Sequence, residues 1–289
     1  MGLSHLKGNS GYIGQDKRHE TGSTGTTGNV SVQKHYLERK LGNFSPLGLG
    51  PAETPLLWYE PSIDYVTLAG SNVTMWTDKM GSGVNFPDPP STTYRPLYDT
   101  TDSDFGGLPS IDFSLVNKYM AAPNNAILNL NTTGGFTVYV VAKVIDFPGS
   151  TYNGLLTKGS TGTNGWGIYY YESVPGQWRF YVNGYSSHYA VITGTWSDTN
   201  LHIWKMRYST TTGEGISAEI IGPTAGSANL TSYTTAIVDN TNAIYIGEWY
   251  STSYDINCKY GDIIFYNRPL TTNEQIQTEI YLKAKYNIN

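Results

Sequence analysis

The sequence predicts an all-β domain that closes with one helix, and three observations support this fold class. The 289 residues include 24 Tyr, 32 Gly and 7 Trp, which favour strands and turns. Charged residues make up only 14% of the chain, against about 25% in an average protein. Short β-branched and aromatic runs recur about every 10 to 15 residues without helices between them, which is typical of a two-sheet sandwich.

The first 42 residues are predicted to form an extended docking arm. They contain few large apolar residues and include a Gly, Ser and Thr run at 22–28, so they bury too little surface to offset the entropy of ordering. They hold 6 of the 18 basic residues and 3 of the 23 acidic ones. A short helix is expected near Tyr36 and Leu37. Residues 43–54, dense in Gly and Pro, are predicted to be a linker to a single domain over 55–289.

Strand-like runs follow the linker in the order expected for an antiparallel meander. A hairpin is predicted over 65–76, where apolar and polar residues alternate about a Gly-Ser-Asn turn. The Pro- and Asp-rich stretch 78–104 is predicted to be a loop. The run 136–144 is β-branched or aromatic almost throughout, which predicts a central strand buried on both faces. Further strands are predicted at 108–113, 155–159, 166–171, 177–182, 201–208, 217–221, 243–247 and 262–266.

One helix is predicted over 270–286. Thr271 followed by Glu274 is a capping-box pattern, and Lys283 and Lys285 lie near the carboxyl end, where cations are favourable. The apolar stripe expected to face the domain comprises Ile276, Ile280, Tyr281 and Leu282.

Several kinds of chemistry lack their sequence patterns. The single cysteine, Cys258, excludes a disulfide framework and a multi-cysteine metal site. Neither a Gly-x-Ser-x-Gly elbow nor a phosphate-binding glycine loop occurs. Glycoside hydrolysis needs two carboxylates at a defined separation, and the acidic residues here are scattered singly, with Glu248 the best lone candidate. We therefore expect a protein that is not an enzyme and has no catalytic residues.

A metal site is not expected either. Asp78, Asp102, Asp104 and Asp255 lie in predicted loops, but only Asp102 and Asp104 have an Asp-x-Asp spacing. Calcium is kept as the alternative, and no cofactor is predicted. The sequence contains neither a signal-peptide core nor an apolar run of about 18 residues, so no membrane contact is expected.

The aromatic residues of the second half are predicted to include a carbohydrate-binding surface. Aromatic rings stack on the apolar faces of sugars, while amide and carboxylate groups bond to hydroxyls. In a sandwich about half of these rings must point inward as core, and the stretch 249–255 has the best prospect of exposure. The aromatic residues that could supply this surface are Trp166, Tyr170, Trp178, Tyr185, Tyr189, Trp249, Tyr250 and Tyr254. The candidate binding residues chosen from them and from their polar neighbours are Asn183, Tyr185, Trp249, Tyr250, Tyr254 and Asp255.

Residues 55–289 resemble a known family, the concanavalin A-like or laminin G-like jelly-roll domains of bacteriophage structural proteins and bacterial surface proteins. The motifs that carry the resemblance lie at 57–59, 73–79, 108–113, 136–138 and 261–270. The arm is similar to peptides that anchor virion components. The resemblance implies a concanavalin A-like jelly-roll sandwich with one C-terminal helix, located in the virion after synthesis in the host cytoplasm.

The leading hypothesis at this point is a non-enzymatic virion structural protein, in capsid decoration, neck or tail fibre. Its arm would bind other virion proteins, and its lectin-like domain would adhere to host glycans. The alternatives are a carbohydrate-binding module or adhesin proper, and a glycoside hydrolase.

Nucleic acid is not an expected partner because the basic residues of the arm are sparse, and a homo-oligomer is compatible with the low charge. The expected docking residues are His5, Lys7, Lys17, Arg18, Tyr36, Leu37 and Arg39.

Overall fold

The structure is a computed structural model that describes residues 46, 54–115, 117–128, 130, 134–148, 151–159, 164–172, 176–193, 199–249 and 254–289. The prediction of an all-β sandwich with a C-terminal helix is confirmed. The predicted arm over 1–42 and nearly all of the predicted linker lie outside the described residues, as do all seven expected docking residues.

The described residues form sixteen strands, four short 3-10 turns and one α-helix. The strands are β1 (Leu57–Tyr59), β2 (Val66–Ala69), β3 (Asn72–Trp76), β4 (Leu97–Asp102), β5 (Leu108–Asp112), β6 (Met120–Ala122), β7 (Gly135–Asp146), β8 (Tyr152–Lys158), β9 (Trp166–Tyr171), β10 (Gln177–Val182), β11 (Tyr189–Thr193), β12 (Leu201–Ser209), β13 (Gly215–Ile221), β14 (Gly226–Leu230), β15 (Ile244–Ile246) and β16 (Asn257–Tyr266). The 3-10 turns are Ile63–Tyr65, Thr92–Tyr94, Ser103–Phe105 and Ala126–Leu128, and the helix, α1, is Thr272–Tyr286.

Two antiparallel sheets build the sandwich in the described part of the chain. The first has ten strands in the order β14-β13-β12-β7-β16-β5-β4-β3-β2, with β1 beside β16. The second has six strands in the order β11-β10-β9-β8-β15-β6. The predicted hairpin appears as β2 and β3, and the pair β9 and β10 confirms the predicted meander.

The core lies between the sheets, and β7 is at its centre. β7 pairs with β12 on one side and β16 on the other. Its residues alternate, so that Val138 and Val140 face the second sheet while Tyr139 and Val141 face the layer beneath α1. All four are fully buried, which confirms the prediction for this strand. Cys258 is also buried in the core between the sheets, where burial raises the pKa of its thiol.

The helix α1 covers the outer face of the ten-stranded sheet. The capping box is present, since the Thr271 side chain accepts from the Glu274 backbone N–H and the Glu274 carboxylate accepts from the Thr271 backbone N–H at 2.7 Å. The residues that α1 buries are Thr278, Leu282 and Tyr286. The prediction that Ile276 and Ile280 face the sheet is wrong, because they are 48% and 47% exposed.

Ion pairs explain this rotation of the helix. Arg268, in the turn before α1, donates to both carboxylate oxygens of Glu274 at 2.9 and 2.8 Å. In the last turn of α1, the Lys285 ammonium lies 2.6 Å from Glu60 Oε1 and 2.8 Å from Asp262 Oδ2. Because Asp262 is fully buried in β16, this contact determines which side of the helix faces the sheet.

Burial and charge oppose each other in this cluster of Lys285, Glu60 and Asp262. Burial alone would raise the pKa of Glu60, but the ammonium groups of Lys285 and Lys79 lower it to about 2. Burial raises the pKa of Asp262, and the nearby Lys285 only partly offsets that effect. Lys285 is therefore the cation that Glu60 and Asp262 share, and its ammonium group holds the cluster together.

Four strands were not predicted from the sequence, and one predicted loop contains a strand. β4 lies inside the stretch 78–104, and its polar residues pair with β5. β1 and β6 have three residues each, and β14 is poor in β-branched residues, so these strands depend on a paired neighbour. β11 was not predicted although its sequence, Tyr-Ala-Val-Ile-Thr, favours a strand. No helix among the described residues is long and apolar enough to cross a membrane.

Replacing Lys285 with Met should lower the free energy of unfolding by about 3 kcal/mol, because it leaves the buried Asp262 carboxylate without its cation. Urea denaturation measures this change. Lys283→Met removes the same charge from the same helix outside the cluster, and it should change stability by less than about 0.5 kcal/mol. Equal effects of the two substitutions would contradict a stabilising role for the cluster.

Candidate functional site

The outer face of the six-stranded sheet carries tyrosines where an exposed antiparallel sheet usually carries small polar residues. Along β9, Ile168 and Tyr170 point into the core while Tyr169 and Tyr171 point outward. The strands β10 and β11 alternate in the same way, and β8 contributes Tyr152 to the same outer face. We call the outward set the tyrosine face, and it comprises Tyr152, Tyr169, Tyr171, Arg179, Tyr181, Tyr185, Tyr189, Trp249 and Tyr254.

The chain between β15 and β16 returns across this face and places Trp249 on it. Trp249 N–H donates to the Tyr254 carbonyl at 3.1 Å, and Gly154 N–H of β8 donates to the same carbonyl at 3.1 Å. Gly154 is required here, since a Cβ at this position would lie 2.7 Å from the Glu248 carbonyl and from Trp249 Cβ. The Trp249 indole N–H donates to the Gly159 carbonyl at 2.8 Å. Hydrogen bonds from the backbone N–H and from the indole N–H therefore fix the Trp249 side chain in one position.

Trp249 forms the buried base around which the tyrosines pack. Its ring centroid lies 4.8 Å from those of Tyr169 and Tyr185 and 5.5 Å from that of Tyr152. Tyr185 and Tyr152 meet it edge-on, at 84° and 82°. Trp249 is only 2% exposed, whereas the rings at the edge stay partly exposed. These rings are Tyr152, Tyr171, Tyr185, Tyr189 and Tyr254.

Burial keeps the phenol groups of Tyr152, Tyr169 and Tyr181 protonated at physiological pH, so they act as neutral hydrogen-bonding groups. Burial raises the pKa of Tyr169, although the Arg179 guanidinium opposes that effect. Burial likewise raises the pKa of Tyr152 and of Tyr181. Tyr169 donates its hydroxyl to the Tyr185 carbonyl at 2.7 Å, which fixes the turn between β10 and β11 against β9. The face therefore presents apolar ring surface together with phenol hydroxyls.

Two carboxylates lie beside the tyrosine face but below its surface. Glu248 is 3% exposed and Asp255 is 5% exposed. Burial, and secondarily the charge of Asp255, raises the pKa of Glu248 to about 8. Asp255 accepts from the Asn117 backbone N–H at 2.9 Å. At neutral pH the pair therefore consists of a protonated Glu248 next to a hydrogen-bonded Asp255.

The structure brings three of the predicted sugar-binding residues together, places Asp255 buried beside them, and directs the Asn183 side chain elsewhere. Trp249, Tyr185 and Tyr254 share the tyrosine face. Tyr250 lies outside the described residues. Asn183 has a positive φ of 56°, and its side-chain amide donates to the Ala236 carbonyl and accepts from the Val238 N–H. Its side chain therefore connects the turn after β10 to the segment 236–238 and is not presented at the surface.

The sequence analysis did not single out five residues of this face. They alternate with core residues, so the signal that could have found them is the period of two in 166–171 and 177–182. The opposite side of those strands was included among the candidate aromatics, but Trp166, Tyr170 and Trp178 belong to the core. The five missed residues are Tyr152, Tyr169, Tyr171, Arg179 and Tyr181.

The loop aspartates considered for calcium have protein partners. Asp78 accepts from the backbone N–H groups of Trp58, Met80 and Ser82. Asp102 and Asp104 pair with lysines, as in the 2.9 Å contact between Asp102 Oδ2 and Lys259. Among the described residues no group of three or more His, Cys, Asp or Glu side chains could hold a metal ion.

No protein-family model matches the sequence, and no curated protein sequence matches it significantly. Solved structures do share the fold. Trypanosoma rangeli sialidase in complex with sialic acid has a TM-score of 0.51 and 16% identity, covering 89% of this chain and 38% of the sialidase. The botulinum neurotoxin serotype D binding domain has a TM-score of 0.51 and 12% identity, covering 78% of this chain and 50% of that one. At these identities the likeness shows the β-sandwich fold.

These similarities correct the leading functional hypothesis. A non-enzymatic virion structural protein is the wrong prediction, because the similar structures are sialidases and a toxin binding domain. The coarser part of the family resemblance, an all-β sandwich, is confirmed. The choice between binding and hydrolysis therefore depends on the geometry of the site.

Replacing Glu248 with Gln should change how stability depends on pH. The pKa of Glu248 is raised in the folded state, so the native protein loses stability as pH rises from about 4.5 through about 8. Gln does not titrate, so between pH 5 and pH 9 the free energy of unfolding of the variant should rise by about 4 kcal/mol relative to that of the native protein.

Urea denaturation at a series of pH values measures this difference. Glu172→Gln, at an exposed position just after β9, is the matched control. Its free energy of unfolding should depend on pH in the same way as that of the native protein. An identical pH dependence for Glu248→Gln and the native protein would contradict the protonated state assigned to Glu248.

Proposed function

We propose that this protein binds carbohydrate through the tyrosine face, as a carbohydrate-binding domain or adhesin. The observation that carries the proposal is the set of five partly exposed tyrosine rings around the buried Trp249. A sugar offers apolar C–H faces and a rim of hydroxyls, and tyrosine offers a flat apolar ring with a polar tip. The chemistry of the face therefore matches that of a glycan.

The rigidity of the face supports binding rather than a purely structural role. Its base is fixed by the Trp249 indole hydrogen bond to Gly159 and by the Tyr169 hydroxyl bond to Tyr185. Rings that are ordered before binding lose little conformational entropy when a ligand stacks on them. The other outer face of the sandwich is covered by α1, so it does not offer a comparable surface.

The fold similarity is compatible with this proposal and adds a ligand class to test. One similar structure is described as a sialidase in complex with sialic acid, and another as the binding domain of a neurotoxin. Glycans on host or partner cells are the partners that we propose for this chain. Because this chain spans 38% of the sialidase, the activity of that whole enzyme does not transfer with the fold.

Binding should be lost when rings are removed from the face. Tyr171→Ala and Tyr185→Ala should each weaken binding about tenfold, equivalent to about 1.4 kcal/mol for one stacking contact. A glycan array identifies the ligand, and isothermal titration calorimetry then measures the affinities. Tyr65→Ala, outside the tyrosine face, is the matched control and should leave the affinity unchanged. Retained affinity in both face variants would contradict the proposal.

Glycoside hydrolysis is the second candidate, and the pair Glu248 and Asp255 is the observation in its favour. A carboxylic acid that stays protonated near neutral pH, with a second acidic side chain beside it, is part of the arrangement that glycosidases use. Both side chains are buried, however, so a substrate could reach them only after the residues that cover them, Trp249 among them, had moved. The geometry therefore favours binding.

Incubation with fluorogenic glycosides, including sialosides, distinguishes the two candidates. We expect no sugar release above the buffer rate. Release that Glu248→Gln and Asp255→Asn both abolish, while Glu172→Gln retains it, would replace the binding proposal with hydrolysis.

A further inference from the structure

Arg179 is clamped between two tyrosine rings on the tyrosine face. Its guanidinium carbon lies 4.0 Å from the ring centroid of Tyr171 on β9 and 4.4 Å from that of Tyr189 on β11. A planar guanidinium stacks on aromatic rings through both dispersion and cation–π attraction. The two rings thus hold the charged group in one position.

The acceptors that Arg179 reaches in the described structure are neutral. Gln177 Oε1 accepts from Nε at 3.0 Å and from Nη2 at 2.9 Å, and the Tyr169 hydroxyl lies 3.4 Å from Nη1. A guanidinium has five N–H donors, so one N–H remains on each terminal nitrogen. The full positive charge and two donors are therefore left for a ligand.

This arrangement sets Arg179 apart from the other arginines in the described part of the chain. Each of those three forms an ion pair with a carboxylate. The pairs are Arg95 with Asp88, Arg207 with Glu214, and Arg268 with Glu274. The chain as a whole has a formal net charge of −5, so carboxylates are not scarce. Among the residues that the structure describes, no carboxylate pairs with Arg179, and this is a local feature of the tyrosine face.

We propose that Arg179 binds the carboxylate of an acidic sugar, a uronic or sialic type of residue, while neighbouring tyrosines stack on the glycan. Planar bidentate recognition of carboxylates is the geometry for which arginine is best suited. Tyr171 lies 5.3 Å from Tyr152, and Tyr152 lies 5.5 Å from Trp249, so the cation is continuous with the stacking surface. This inference rests on the proposed function and assigns its ligand class.

Matched acidic and neutral glycans test the inference. The probes are oligogalacturonate and sialyllactose, each compared with its carboxyl-reduced form, in which a hydroxymethyl group replaces the carboxylate. Calorimetry with the native protein should show at least about tenfold tighter binding of the acidic form, since a charge-assisted pair is lost on reduction. Raising the salt concentration should weaken the acidic form selectively.

Substitutions of Arg179 test whether this residue causes the preference for acidic over carboxyl-reduced glycans. Arg179→Gln should bind the acidic and reduced forms equally, and Arg179→Lys, which keeps the charge but loses the planar fork, should retain only part of the preference. Arg207→Gln removes an arginine from the other sheet and should keep the native preference. Circular dichroism and thermal unfolding of each variant verify the fold.

The outcomes separate this inference from the proposed function. Equal binding of acidic and reduced glycans by the native protein would overturn the inference alone, as would an unchanged preference in a folded Arg179→Gln variant. Absence of binding to these probes and to every glycan of the array would overturn the proposed function and the inference together.

Discussion

The packing of the Trp249 segment over Gly154 is the interaction on which the candidate site depends. Trp249 reaches the outer face of the six-stranded sheet only because β8 lacks a side chain at Gly154, where the two backbones approach closely. Once in place, the indole provides the base against which Tyr152, Tyr169 and Tyr185 pack. Without it, these tyrosines would keep contacts with one another, such as that of Tyr152 with Tyr185 at 5.5 Å, but they would lose the buried base that they share.

The two outer faces of the sandwich differ in what covers them, and this difference links the fold to the proposed function. The ten-stranded sheet is covered by α1, which is held by the buried contact of Lys285 with Asp262. The six-stranded sheet instead carries tyrosines and Arg179, which tolerate water at one end and apolar contact at the other. One side of the domain is thus built for stability, and the other has the composition of a binding surface.

Sequence patterns predicted the fold class and its most regular elements. The apolar run of β7 and the capping box at Thr271 are local signals, and both appear as expected. The side of α1 that is buried was not predictable from its isoleucines, because the Lys285 contact with Asp262 connects residues 23 positions apart. Propensity also could not reveal β14, whose Gly-Ser-Ala-Asn-Leu sequence forms a strand through its pairing with β13.

The candidate site was predictable only in part, for reasons of geometry. Trp249, Tyr185 and Tyr254 stood out because they lie near turns, where exposure is the usual expectation. Arg179 did not, because it alternates with the core residues Trp178 and Phe180 and its importance lies in the neighbouring strands. The proximity of Glu248 to Asp255 likewise depends on the chain reversing between β15 and β16.

Glycan-array binding by Gly154→Ala tests the central claim most directly, because the substitution adds one methyl group beneath the Trp249 segment and leaves every aromatic ring in the chain. The account predicts a folded protein that has lost glycan binding. Gly213→Ala adds a methyl group in open space in the turn between β12 and β13 of the other sheet, at a φ of 87°, so it should cost some stability but keep native glycan binding. Undiminished glycan binding by Gly154→Ala would show that the Trp249 segment does not build the binding surface, and would contradict the account.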